Sequence, residues 1–171
     1  MKKGIYICLG TVLVLFAIYI LDTQFLSKER MPGIGAVEND STSLISFPLL
    51  QLDGSRLTMS ELEGGKILVL IRPDCAPCQR KALQIQENAG AFEEYEILFV
   101  SDASLPQLRQ IASSYNRAGQ RNIYIAQAAT KDILHLFGSA EAPSILVFSK
   151  EGRLVDTFSG RTPIQEILAS L

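Results

Sequence analysis

The sequence is poor in the residues that bind metals or build disulfide frameworks. It contains three cysteines and one histidine in 171 residues, and only Cys75 and Cys78 follow the N-terminal segment. A secreted domain held together by disulfides would need more cysteines at wider spacing. Zinc needs four ligands, and beyond these cysteines the same part of the chain supplies only His135, for which we expect an ordinary place on a helix. The shortage favours redox chemistry for the pair over a structural bond or a metal site.

Concentrated positive charge is also missing. Residues 41–171 contain 12 Lys/Arg and 14 Asp/Glu, so their formal net charge is −2. They show no basic run and no patch in which basic and aromatic residues alternate, whereas nucleic-acid-binding domains carry such a basic footprint. We therefore expect no nucleic acid among the partners.

Charge of either sign is absent between positions 4 and 21. A helix over these residues would be roughly 27 Å long, close to the ~30 Å of a bilayer's hydrocarbon core. A cleaved signal peptide would have a shorter apolar region and small residues before its cleavage site, which do not occur after Ala17. A lipid on Cys8 is disfavoured because Ile7 stands where a small residue is needed. We therefore expect residues 1–22 to form one uncleaved membrane anchor.

The two lysines at the N-terminus predict the orientation of this anchor. Lys2 and Lys3 should stay on the cytoplasmic side, so everything after Asp22 is expected outside the cytoplasm. Residues 23–43 are rich in glycine, proline, asparagine, aspartate and serine and are predicted to be a flexible tether. Residues 44–171 are predicted to form a single folded domain.

Patterns typical of strands and helices alternate along this domain. The run Lys66–Arg72, KILVLIR, is apolar between its two ends, as in a central strand that is covered on both faces. A final pair of strand-like runs with a turn between them predicts a hairpin, and a helix follows from Pro163. This order predicts an α/β fold with a mixed sheet. The other strand-like runs lie at 44–52, 97–100, 123–125, 144–148 and 154–158.

Cys75 and Cys78 come directly after the central strand, where a helix is predicted to begin. We expect Asp74 to be the N-cap residue, Cys75 the first helical residue and Pro77 a first-turn proline. A thiol at a helix N-terminus faces unpaired N–H groups and the positive end of the helix dipole, which lowers its pKa. Cys78 lies one turn further on the same helix face. The pattern predicts that Cys75 attacks a disulfide and that Cys78 resolves the mixed disulfide.

The motif PDCAPC between strand and helix, followed downstream by APSILVFSKEGRLVDTFSG, resembles the thioredoxin-like fold over residues 44–171. The passage FPLLQLDGSRLTMSELEGGK resembles the TlpA/ResA type, which are membrane-anchored thiol-disulfide oxidoreductases outside the cytoplasm. The resemblance implies a three-layer sandwich with a mixed central sheet, preceded by one transmembrane helix in the bacterial cytoplasmic membrane. It also implies that Pro143 is a cis-proline beside the two sulfurs, that the backbone of Ala142 hydrogen-bonds a bound substrate chain, and that Gly160 has a packing role.

Activity and partners follow from the same resemblance. It implies disulfide exchange without a cofactor, with disulfide-bearing client proteins outside the cytoplasm and with a membrane or extracytoplasmic electron donor. Pro77 before the second cysteine is similar to the reducing members, so we expect a reductant of exported proteins. Asp74 replaces the usual aromatic residue, Val69 stands where many thioredoxins have a buried acid, and Lys81 stands where some ResA-like proteins have one. The group that takes the proton of Cys78 is therefore open between Lys81 and a water.

Two other functions are compatible with this fold. A peroxiredoxin-like peroxidase would carry the signature PxxxTxxC, but Leu68 and Arg72 occupy its proline and threonine positions. A non-catalytic binding module would have no need of both cysteines and Pro143. The sequence therefore favours an enzyme that exchanges disulfides over both alternatives.

Overall fold

The structure, a computed structural model, describes residues 48–114 and 121–171. The predicted membrane anchor at 1–22 and the predicted tether at 23–43 lie outside the described residues. Among the residues that are described, no helix has the length and apolar character needed to cross a membrane.

The described elements alternate as the sequence predicts. The expected central strand is Gly65–Leu70, and it ends before Pro73, which has no N–H group to offer a neighbouring strand. The two-residue strand Arg56–Leu57 was not predicted, because it is too short to show a pattern. The strands are β1 Leu49–Gln51, β2 Arg56–Leu57, β3 Gly65–Leu70, β4 Tyr95–Ser101, β5 Ile123–Gln127, β6 Ser144–Phe148 and β7 Leu154–Ser159. The helices are α1 Ala76–Glu87, α2 Leu105–Ser114, α3 Thr130–Phe137 and α4 Ile164–Leu168.

The strands form one seven-stranded sheet in the order β2-β1-β5-β4-β3-β6-β7. Strand β3 is parallel to β4 and antiparallel to β6, and β6 and β7 form the predicted hairpin. In this register Ile67 of β3 lies between Ile97 and Val147. The expectation of a mixed sheet is confirmed.

Successive side chains of β3 enter two separate apolar clusters, because neighbouring residues of a strand point to opposite faces. Ile67 and Val69 join buried residues of α1, α2 and α4 on one face. Leu68 and Leu70 join buried residues of α3 on the other face. Helices therefore cover both faces of the sheet, as in the expected three-layer sandwich, and Cys78 belongs to the first of the two clusters.

Candidate active site

The cysteine motif occupies the link between β3 and α1. Helix α1 begins at Ala76, and its N-cap residue is Cys75, with an extended backbone at φ −105° and ψ 92°. The expectation that Asp74 caps this helix is wrong: Asp74 lies one position further out and is exposed, and the Cys75 sulfur takes the capping hydrogen bond instead. Pro77 lies in the first turn, as predicted, where a missing N–H group leaves no helical bond unmade.

Cys75 and Cys78 are joined by a disulfide with an S–S distance of 2.01 Å and a Cα–Cα distance of 5.2 Å. The backbone N–H of Cys78 also donates a hydrogen bond of 3.1 Å to the Sγ of Cys75. Cys75 is partly exposed, whereas Cys78 has 0% of its surface exposed. Cys75 is therefore the more accessible of the two cysteines.

A second segment of the chain approaches the sulfurs from the start of β6. The bond between Ala142 and Pro143 is cis, which confirms the expected geometry of this proline. The carbonyl oxygen of Ala142 lies 3.6 Å from the Sγ of Cys75. Gly160 donates its N–H to the carbonyl of Pro143 at 2.8 Å and adopts a φ of +65°, a conformation that glycine adopts without strain. Its role is thus a backbone contact that holds the Pro143 segment.

The two positions where the sequence departs from an acidic residue are both buried. Val69 is 0% exposed in the core beneath the site, so no carboxylate is available there. Lys81 is 4% exposed, and its Nζ donates hydrogen bonds to the carbonyl of Thr162 and, at 3.0 Å, to the Oε1 of Gln84. Burial lowers the pKa of the Lys81 amine, because the charged form loses hydration. Helical spacing places residue 81 near Cys78, but nothing in the sequence pointed to Thr162.

His135 lies on a helix, as the sequence predicts. His135 is exposed in the last turn of α3. No group of three or more His, Cys, Asp or Glu side chains in residues 48–114 and 121–171 is arranged to hold a metal ion.

The fold is similar to that of several solved structures. These include MTB DsbF, at 19% identity and a TM-score of 0.63 over 75% of this chain and 94% of that one. A secreted Mycobacterium tuberculosis disulfide oxidoreductase homologous to E. coli DsbE matches at 16% identity and a TM-score of 0.62, over 75% and 96% of the two chains. The exposed lipoprotein thioredoxin Etrx1 of Streptococcus pneumoniae matches at 21% identity and a TM-score of 0.54, over 73% of this chain and 98% of that one. No family model and no curated protein matches the sequence. At these identities the likeness shows a thioredoxin-like fold.

Proposed function

We propose that this chain is a thiol-disulfide oxidoreductase that exchanges a disulfide with other proteins through Cys75 and Cys78. The observation that carries the proposal is the disulfide at the start of α1, with one sulfur partly exposed and the other fully buried. This asymmetry supports Cys75 as the attacking cysteine and Cys78 as the resolving cysteine. The similarity in fold to a protein described as a disulfide oxidoreductase supports the same activity.

The exchange proceeds in two sulfur displacements. The thiolate of Cys75 attacks one sulfur of a client disulfide, so a Cys75–client bond forms, the client disulfide breaks and one client thiolate leaves. Cys78 then loses its proton and attacks the Sγ of Cys75, which forms the bond seen in the structure and releases the second client sulfur. The client gains two electrons, the chain becomes oxidised, and no cofactor takes part.

The surroundings of Cys75 suggest how a client chain would bind. The Ala142 carbonyl lies beside the Cys75 sulfur, which supports a hydrogen bond between the backbone of Ala142 and an extended client segment. Pro143 is buried behind it, and Pro77 and the exposed Asp74 lie on either side of Cys75 in the chain. We assign client contact to Ala142 and Pro143, and a structural role near the site to Asp74 and Pro77.

We further propose that the domain works as a reductant of exported proteins in the manner of the TlpA/ResA type. Residues 1–22 would anchor it in the bacterial cytoplasmic membrane with the N-terminus inside, and residues 23–43 would tether the domain 44–171 outside. An electron donor in or beyond the membrane would re-reduce it. The secreted and surface-exposed neighbours support this location, and Pro77 supports the reducing direction.

The test is reduction of insulin disulfides by the full-length protein, with Cys8→Ser as a control that removes the remaining cysteine. We expect the parent and Cys8→Ser to be active and Cys75→Ser to be inactive. We expect Cys78→Ser to accumulate mixed disulfides between Cys75 and exported proteins.

Full activity of the Cys75→Ser/Cys78→Ser double variant would overturn the proposal. An inactive parent would favour the binding module, and turnover of hydrogen peroxide would favour the peroxidase. Faster oxidation of a reduced client than reduction of insulin would reverse the proposed direction.

A further inference from the structure

Two charged side chains are buried among the described residues, Lys66 and Lys81. Lys66 lies near the start of β3, and its Nζ reaches the carbonyl of Lys150 at 3.4 Å. That end of β3 is opposite to the end from which the chain continues to Cys75. Lys81 is on α1 and is the more deeply buried of the two, at 4% exposed compared with 8%. Lysine is rarely buried to this extent without a charged partner, so the groups around Lys81 should include one.

Among the residues that the structure describes, Lys81 has no charged partner. Its Nζ donates to the carbonyl of Thr162 and to the amide oxygen of Gln84, and both acceptors are uncharged. No carboxylate of residues 48–114 or 121–171 lies within ion-pair distance of it. The charged groups on the elements around it are all exposed to solvent: Arg72 and Asp74 before α1, Arg80 and Glu87 on α1, Arg161 before α4, and Glu166 on α4. Burial accordingly lowers the pKa of this amine.

Cys78 is a buried group of the same helix that can become negatively charged, and it lies three positions before Lys81. The buried residues of α1 are Cys78, Lys81, Ala82 and Ile85, which form a single stripe along the helix. Helix positions three apart are surface neighbours, with Cβ atoms about 5–6 Å apart. Cys78 is 0% exposed, and such burial opposes formation of its thiolate. One turn of helix thus holds Lys81, which has no counter-ion in the described part of the chain, and a thiol that must ionise to act.

We propose that the Lys81 ammonium is the counter-ion of the Cys78 thiolate during the resolving step, and hence a positioning residue for the exchange. This inference rests on the proposed function. In the mixed disulfide, Cys78 gives its proton to water and its thiolate attacks the Sγ of Cys75. The bond between Cys75 and the client breaks, and the client sulfur leaves with the electron pair and takes a proton from water. Lys81 keeps its proton throughout, and its charge offsets the thiolate only while the thiolate exists.

The test is the pKa of the Cys78 thiol, which needs no client. The full-length protein in detergent carries Cys8→Ala and Cys75→Ser, so Cys78 is its only thiol, and the thiolate is titrated by its ultraviolet absorbance. Lys81→Met removes the charge and the hydrogen bonds, whereas Lys81→Gln removes the charge and keeps an N–H donor. Arg80→Met is the matched control, because it removes a positive charge from an exposed position of the same helix.

We expect Lys81→Met and Lys81→Gln each to raise the pKa of Cys78 by about one unit, which is about tenfold less thiolate at a pH below both values. Arg80→Met should change the thiolate fraction less than about twofold, because solvent and salt screen an exposed charge. An unchanged pKa in both Lys81 variants would overturn the proposal. A shift in Lys81→Met alone would also overturn it, because the hydrogen bond and not the charge would then be responsible.

A second measurement uses the unsubstituted protein and does not depend on the folding of any variant. The side chain of Lys81 is titrated by NMR in the oxidised and in the reduced protein. Its pKa should be higher in the reduced protein, where the Cys78 thiolate favours the ammonium, and equal values would overturn the proposal. Failure of the parent to reduce insulin would instead overturn the proposed function and leave both titrations intact.

Discussion

The backbone N–H of Cys78 donates a hydrogen bond to the sulfur of Cys75, so the two cysteines are connected through an amide as well as through their disulfide. This contact makes Cys75 the cap of its own helix. A negatively charged sulfur accepts such a bond more strongly than a neutral one. The same N–H group is therefore positioned to stabilise the Cys75 thiolate once the disulfide has been reduced. It donates to the sulfur of Cys75 and not to that of Cys78.

Selective alkylation should reveal this difference in the reduced protein. At about pH 7 we expect iodoacetamide to modify Cys75 at least about tenfold faster than Cys78, because Cys75 is partly exposed at a helix N-terminus, where N–H groups favour a thiolate, while burial shields Cys78. Tandem mass spectrometry of the Cys8→Ala protein assigns the modified residue. Urea-unfolded protein is the control and should lose most of the preference. Faster modification of Cys78 in the folded protein would contradict the assigned roles.

The packing of α1 can be tested with two residues of that helix. Ile85 is 1% exposed in the same cluster as Cys78, whereas Leu83 is 49% exposed. We expect Ile85→Ala to lower the free energy of unfolding by about 2–5 kcal/mol and Leu83→Ala to change it by less than about 0.5 kcal/mol. Urea denaturation of the oxidised protein measures both. Equal effects would mean that α1 does not present this face to the sheet.

The burial of Lys81 predicts how stability depends on pH. Burial lowers the pKa of this amine in the folded protein, so the unfolded chain binds more protons at alkaline pH. The contribution of Lys81 to the free energy of unfolding therefore increases as pH rises towards the unfolded lysine pKa of ~10.4. Lys81→Met has no such term. Urea denaturation at roughly pH 8 to 10 should therefore show any stability advantage of Lys81→Met over the parent shrinking with pH. A difference that stays constant, or grows, would contradict the lowered pKa.

The sequence predicted those features that depend on local pattern. The apolar run that became β3 indicated a strand covered on both faces, and the spacing of Cys75 and Cys78 placed them one helical turn apart. The cis bond before Pro143 followed from the resemblance of the surrounding motif. The prediction that Asp74 caps α1 was wrong because aspartate and cysteine can both accept the capping hydrogen bond. Only the backbone angles between β3 and α1 decide which of the two residues does so.

Features that depend on distant parts of the chain could not be predicted. A lysine at position 81 would ordinarily be assigned to the solvent side of a helix. Its burial depends on the carbonyl of Thr162, which is 81 residues away in the chain and belongs to the segment between β7 and α4. The proximity of the Ala142 carbonyl to Cys75 likewise depends on how β6 pairs with β3. No local sequence pattern predicts either contact.

The two cysteines of the disulfide are only three positions apart, so the ring that the bond closes is among the smallest a protein chain can form. A cross-link this short restricts the unfolded chain far less than one that joins distant segments. The domain is held instead by the two apolar clusters on either side of its sheet. Opening the bond should therefore cost the fold little, so we expect the proposed exchange to leave the scaffold around the two sulfurs folded.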